Sequence, residues 1–100
     1  MPAVTSIRIT RHALDEMKDA RAWYAQRDRA AANRLSEAID DALELAAKVP
    51  GASTPWPGVP ELRRAVVKGF PYWLVYEEGA DGLVVVAFAH HKRRPLYWLP

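Results

Sequence analysis

The side chains of this chain best suited to chemistry cluster near its end, in His90-His91-Lys92-Arg93-Arg94-Pro95-Leu96-Tyr97-Trp98. Two imidazoles, three consecutive cations and two adjacent aromatics could hold a phosphate, move a proton near neutral pH or stack on a base. Arg63, Arg64 and Lys68 form a second basic group. In an unbulged strand Arg64 and Lys68 share a face and Arg63 lies opposite, so Arg64 and one histidine pointing the same way would make one basic cleft. Each group also has a plainer reading. Tyr97 and Trp98 can fold back as a lid over an open sheet face, and the cations can be a solvated strand end or a guard against edge pairing.

Other chemistries find no support in the pattern. There is no cysteine, hence no disulfide and no thiolate metal site. Adjacent residues on a strand point to opposite faces, so His90 and His91 cannot easily share a metal. There is no glycine-rich phosphate loop, no nucleophile elbow around Ser6, Ser36 or Ser53, and no carboxylate pair beyond ordinary helix-surface acids. No metal or cofactor is expected.

These residues need a scaffold, and 100 residues that are 50% hydrophobic suffice for a single compact domain, expected over 1–100. No apolar leader or membrane-length run occurs, so a cytoplasmic location is expected. The 14 basic and 12 acidic residues leave a net charge of +2. The excess is local, because Lys92, Arg93 and Arg94 follow residue 82 with no acid among them.

Alternation over 4–10, with Thr5, Ile7 and Ile9 on one face, predicts a half-buried strand. Thr10 can cap a helix over 11–26 whose apolar stripe is Ala13, Met17, Ala20 and Tyr24, with Asp15, Glu16, Lys18 and Asp19 facing elsewhere. Asp28 can cap a second helix with the stripe Ala32, Leu35, Ile39, Ala42, Ala46 and Val49, ended by Pro50-Gly51. Residues 50–60 carry four prolines and predict an extended loop anchored by Trp56. Three β-type runs follow, 62–67, 72–77 and 83–89, joined by short connections that predict an antiparallel meander. The last run is apolar on both faces and should be covered on each side. Trp23 and Trp73 are expected in a core or interface, and His12 on the surface. The order βααβββ gives an α+β fold, a helical hairpin on one face of a small antiparallel sheet.

This order, with Ala13 to Tyr24, Leu35 to Pro50, Leu62-Arg63, Tyr72-Trp73-Leu74-Val75-Tyr76 and His90 to Tyr97 in sequence, resembles the RelE/ParE superfamily of toxins from bacterial type II toxin-antitoxin systems over nearly the whole chain. The resemblance implies a growth-inhibiting toxin, kept silent in a hetero-oligomer with a co-encoded antitoxin and associated with plasmid stabilisation. RelE-like members are mRNA interferases that cut message on the ribosome without metal. ParE-like members poison DNA gyrase and cleave nothing themselves. For the RelE-like activity the resemblance implies Arg64, His90, His91, Arg93 and Tyr97 as catalytic candidates. Arg63, Lys68, Lys92, Arg94 and Trp98 become candidates for binding the target or the antitoxin. Val66 stands where that group often has lysine, and Trp73 follows Tyr72 where arginine is typical. Losing two cations that would stabilise a pentacovalent phosphate, together with a low net charge, favours the ParE-like side. An inactive, antitoxin-binding relative is the plainest alternative.

Overall fold

The computed structural model describes residues 6–80 and 82–99. Its elements run β1 (Ile7–Ile9), α1 (Arg11–Ala25), α2 (Arg29–Lys48), a turn of 3-10 helix (Pro50–Ala52), β2 (Thr54–Trp56), β3 (Val59–Val66), β4 (Tyr72–Glu78) and β5 (Leu83–His90). Both helix starts follow from their caps. The Thr10 hydroxyl accepts from the Ala13 N–H at 3.2 Å, and Asp28 Oδ1 accepts from the Ala30 N–H at 3.0 Å. These bonds satisfy donors that a first helical turn leaves without partners.

The five strands form one sheet in the order β1-β5-β4-β3-β2. The meander β3-β4-β5 is antiparallel as its short connections require. The sheet as a whole is mixed, however, because β1 lies parallel to β5, pairing Ile7 with Leu83 and Ile9 with Val85. The two helices carry the chain back across the sheet between these strands, and such a crossover permits a parallel neighbour. Gly82 makes the approach possible: with φ +153° it lies beside the Ser6 carbonyl, and a Cβ there would overlap that oxygen. Val4 and Thr5 fall outside the described residues. Of the remaining face, Ile9 is partly buried and Ile7 is exposed.

The proline-rich segment also departs from the expected loop. Thr54–Trp56 forms a fourth antiparallel strand on β3, pairing Thr54 with Arg64 and Pro55 with Arg63, and β3 begins at Val59. An edge strand needs only one side of its backbone bonded, so Pro55 costs no ladder bond there. Trp56 is therefore a buried strand residue rather than a loop anchor.

Two apolar layers sandwich the sheet. On the helix side, Ala13, Met17 and Ala20 of α1 and Leu35, Ile39, Ala42 and Ala46 of α2 pack on Ala65, Val67, Leu74, Tyr76, Leu83, Val85 and Phe88. Alanines on both helices let them approach the sheet closely. The Tyr76 hydroxyl, buried in this layer, donates to the Pro50 carbonyl at 2.6 Å and ties the end of α2 to β4. On the outer side, Trp56, Leu62, Val75, Ala87 and Ala89 are covered by Trp73, Leu96, Tyr97 and Trp98. The β4–β5 register shifts between Val75 and Tyr76, where β5 carries the extra residue Val86. This bulge reverses the alternation of β5, so that Val85 and Phe88 both face the helices. Val49 ends half-exposed, and Trp23, expected in a core or interface, is 51% exposed.

Candidate functional site

The tail leaves β5 at His90, bonds the β3–β4 turn through the His91 N–H and the Pro71 carbonyl (2.9 Å), and turns back over the outer sheet face. The turn requires Leu96 at φ 59°, an unusual conformation for a branched side chain. It places Tyr97 and Trp98 against the sheet. Trp98 meets Trp56 edge-on at 5.2 Å and Tyr97 edge-on at 5.3 Å. The two aromatics form the lid expected from their position.

Under that lid the guanidinium of Arg64 lies 4.8 Å from the Trp73 ring centre and 5.5 Å from that of Trp56. The His91 ring packs on Trp73 at 4.5 Å. Arg64 and His91 thus face the same way, and the conditional basic cleft forms. A recess of about 120 Å3 lies between the tail and the sheet, lined by Arg64, His90, His91, Arg93 and Arg94 among aromatics, with no carboxylate in its lining. The guanidinium of Arg93 lies 4.0 Å over the Tyr97 ring.

The other candidates separate in part. His90 also lines the recess, but its ring turns to the helix side, edge-on to Tyr72 at 5.2 Å, and its Nδ1 accepts from the Lys92 N–H at 3.0 Å. Period-two alternation had predicted that His90 and His91 diverge. Arg63 points away from Arg64 and donates to the Ser53 carbonyl at 2.7 Å, with Glu78 at 3.9 Å. It fastens the 3-10 turn to the sheet. Lys68 does not share a strand face with Arg64, because β3 ends at Val66 and Lys68 lies in the following turn. There it lines a helix-side groove with Arg34, Glu37 and Asp41. Lys92 is exposed, and Val66, at the position where lysine would suit a nuclease, is 66% exposed and apolar.

Glu16 is the residue the sequence pattern missed. On α1 it resembles any surface acid paired to the residue four before it, and His12 Nε2 does lie 3.0 Å from its Oε1. The same carboxylate also accepts from the Phe88 N–H at 3.0 Å and from the Tyr97 hydroxyl. The first bond has a topological cause. β1 ends at Ile9, so β5 beyond Val85 has no strand partner on that edge, and Glu16 serves its free N–H instead. The second bond anchors the lid to α1. Burial, then the hydrogen bond to Glu16 and its negative charge, push the Tyr97 hydroxyl well above the usual phenol range, with Arg93 opposing weakly. Tyr97 is accordingly a proton donor locked to a carboxylate.

The arrangement can bind an anion through three guanidiniums. The phenol beside the recess is engaged by Glu16 and is not free to take a proton, which leaves that role to the imidazoles of the lining. Among the described residues no group of three or more potential ligands could hold a metal ion, and no helix is long and apolar enough to cross a membrane.

The family described as ParE toxin of type II toxin-antitoxin system, parDE, matches residues 7–95. Two solved structures share the fold. One, described as a chromosomal ParDE TA system from P. aeruginosa, superimposes with a TM-score of 0.73 at 15% identity, covering 87% of this chain and 96% of the other. The second, a YoeB/ParE toxin from Agrobacterium tumefaciens, gives 0.64 at 19% identity, covering 87% and 99%. Among curated protein sequences none matches significantly.

Proposed function

Since the chain belongs to the ParE toxin family of type II toxin-antitoxin systems, we propose that it arrests growth by poisoning DNA gyrase, without cleaving a substrate itself, and that a co-encoded antitoxin binds and silences it. The observation that carries the choice of target is the state of Tyr97. A ribonuclease acting through the 2'-hydroxyl needs a group to accept that proton. Here the phenol already donates to Glu16, and ionising it would set two negative charges side by side. The apolar Val66 and the Trp73 ring, which packs against Arg64 and His91, support the same reading. Purified toxin incubated with gyrase and supercoiled DNA should trap cleaved DNA or abolish supercoiling. An unaffected gyrase at several-fold excess of toxin overturns the reading.

One observation favours a second reading. Arg64, Arg93, Arg94 and His91 around one recess could hold a scissile phosphate, with His91 as the proton acceptor, in ribosome-dependent mRNA cleavage. Toeprinting on programmed ribosomes would then show codon-specific cuts. Intact message during growth arrest excludes it. The acidic or apolar partner surface of an antitoxin finds complementary features here in the basic tail and the exposed edge strand β2.

A further inference from the structure

The cations around the tail are set apart by converging on one recess rather than by lacking partners, since among the described residues Lys18, Arg21 and Arg29 on the helices form no ion pair either. On the helices Arg11 pairs with Asp15, Arg34 with Asp28 and Lys48 with Glu44, and on the helix side of β3 Arg63 lies near Glu78. Among the described residues, the side chains of Arg64, Lys92, Arg93 and Arg94 meet no carboxylate within ion-pairing distance, and Arg64 and Arg93 meet only rings. The grooves on the helix side contain acids in their linings, Glu16 and Asp19 in one, which Arg93 also borders, and Glu37 and Asp41 in another. The recess under the tail contains none. A concave site of one charge sign, small enough for a single tetrahedral anion, is built to receive a counter-charge from another molecule.

We infer that this recess seats one backbone phosphate of duplex DNA while the exposed Lys92 and Arg94 reach two neighbouring phosphates, so that the toxin touches the DNA held by its target as well as the target protein. The assignment to duplex backbone comes from how the aromatics are used. Trp56 is buried, Trp98 is packed on Trp56, and Trp73 carries Arg64 and His91. Little ring surface is left to stack on unpaired bases, which is how sequence-tolerant single-strand binders gain affinity. What faces solvent is guanidinium, and guanidiniums take phosphate oxygens in forked pairs without reading sequence. The inference rests on the gyrase reading for its biological setting, since an agent that traps a cleaved duplex benefits from holding both the enzyme and its DNA. The binding itself is testable without gyrase.

The experiment measures fluorescence anisotropy of a labelled duplex of about 20 base pairs with the intact chain, from about 50 to 200 mM salt. Binding should be weak, in the roughly 10⁻⁶ to 10⁻⁴ M range of non-specific contacts, with log K falling against log salt at a slope near −3. Arg94→Gln should make the slope shallower by about one unit. Arg11→Gln, on α1, outside the recess lining and paired to Asp15, should leave it unchanged, with circular dichroism confirming that both variants fold. Three results each overturn the inference: no binding at the lowest salt, an unchanged slope in Arg94→Gln, or tighter binding of a single-stranded RNA or an acidic peptide than of the duplex. DNA binding alongside an unaffected gyrase would refute the gyrase reading and leave the recess as a DNA site. Gyrase poisoning without any DNA binding would do the reverse.

Discussion

On the helix side of the sheet, Leu74, Tyr76, Val85 and Phe88 meet two full helices whose contacting residues are mostly alanine and branched aliphatics. On the outer side, Val75, Ala87 and Ala89 meet one tryptophan from an edge strand and the aromatic end of the tail. The first layer is closed by elements with their own hydrogen-bonded backbone. The second is closed by a segment held through a few side chains, among them the Tyr97 bond to Glu16. Stability and binding chemistry are thereby divided: the helix side supplies the core, and the outer side keeps three guanidiniums around a recess where only modest packing is at stake.

The division is tested first at its strong end. Leu74 is fully buried between sheet and helices, so Leu74→Ala should cost about 2–5 kcal/mol through lost transfer energy and the cavity left behind. For a domain this size each kcal/mol lowers the melting temperature by roughly 4–8 °C. Denaturant unfolding would show the loss, and a cost below about 1 kcal/mol would mean that the helix side is not the main core. Trp98→Ala should cost less, about 1–2 kcal/mol, because Trp98 is only half-buried and its chief partner Trp56 keeps contact with the sheet. A cost equal to that of Leu74→Ala would erase the distinction between the two faces.

How far this organisation could be read from residues alone follows the range of the interactions involved. Thr10 and Asp28 announce their helices because a cap acts within three residues. The stripe Leu35, Ile39, Ala42 and Ala46 is legible because helical periodicity is local. Pairing of β1 with β5 was not, because three residues carry too little pattern to choose a partner 76 positions away, and Ile7 is not even buried. Pro55 argued against a strand by a rule that holds for central strands and lapses at an edge. At the site, the divergence of His90 and His91 was legible from alternation, whereas the grouping of Arg64 with His91 stayed conditional until the register was known. Glu16 was hidden because its tasks, serving Phe88 and Tyr97, are set by where β1 ends in space.

The tether between the two faces is open to a smaller perturbation. Tyr97→Phe removes only the hydroxyl, leaving the ring beneath Arg93 and edge-on to Trp98, and should cost about 1–2 kcal/mol because a charged acceptor loses a donor. It should also change the alkaline limb of the stability profile. The folded state raises the Tyr97 hydroxyl above its ordinary value of 10.0, so the contribution of this bond is complete below that pH. It is lost as pH climbs through the folded value, because the unfolded chain releases the proton first. Burial raises Tyr72 and Tyr76 as well, so Tyr97→Phe should lessen the alkaline loss without abolishing it. Thermal unfolding from neutral pH to above 10 in both proteins makes the comparison, and coincident profiles would show that the phenol does not secure the tail.

The smallest effect on stability should come from the residues most exposed to a partner. In Arg93→Ala with Arg94→Ala, the first change removes one guanidinium from over the Tyr97 ring and the second removes a side chain with no ion pair among the described residues. An exposed cation–π contact is worth about 0.5–1 kcal/mol, and an unpaired surface arginine close to nothing. The double variant should therefore melt within a few degrees of the parent while losing most of its growth inhibition on induction. A stability loss on the scale of Leu74→Ala would instead make the tail part of the core. Full toxicity with an unchanged melting point would leave the cations of the outer face without a role in the target, and would move the search for the contact surface to the helices, where Trp23 stands half-exposed beneath Arg27.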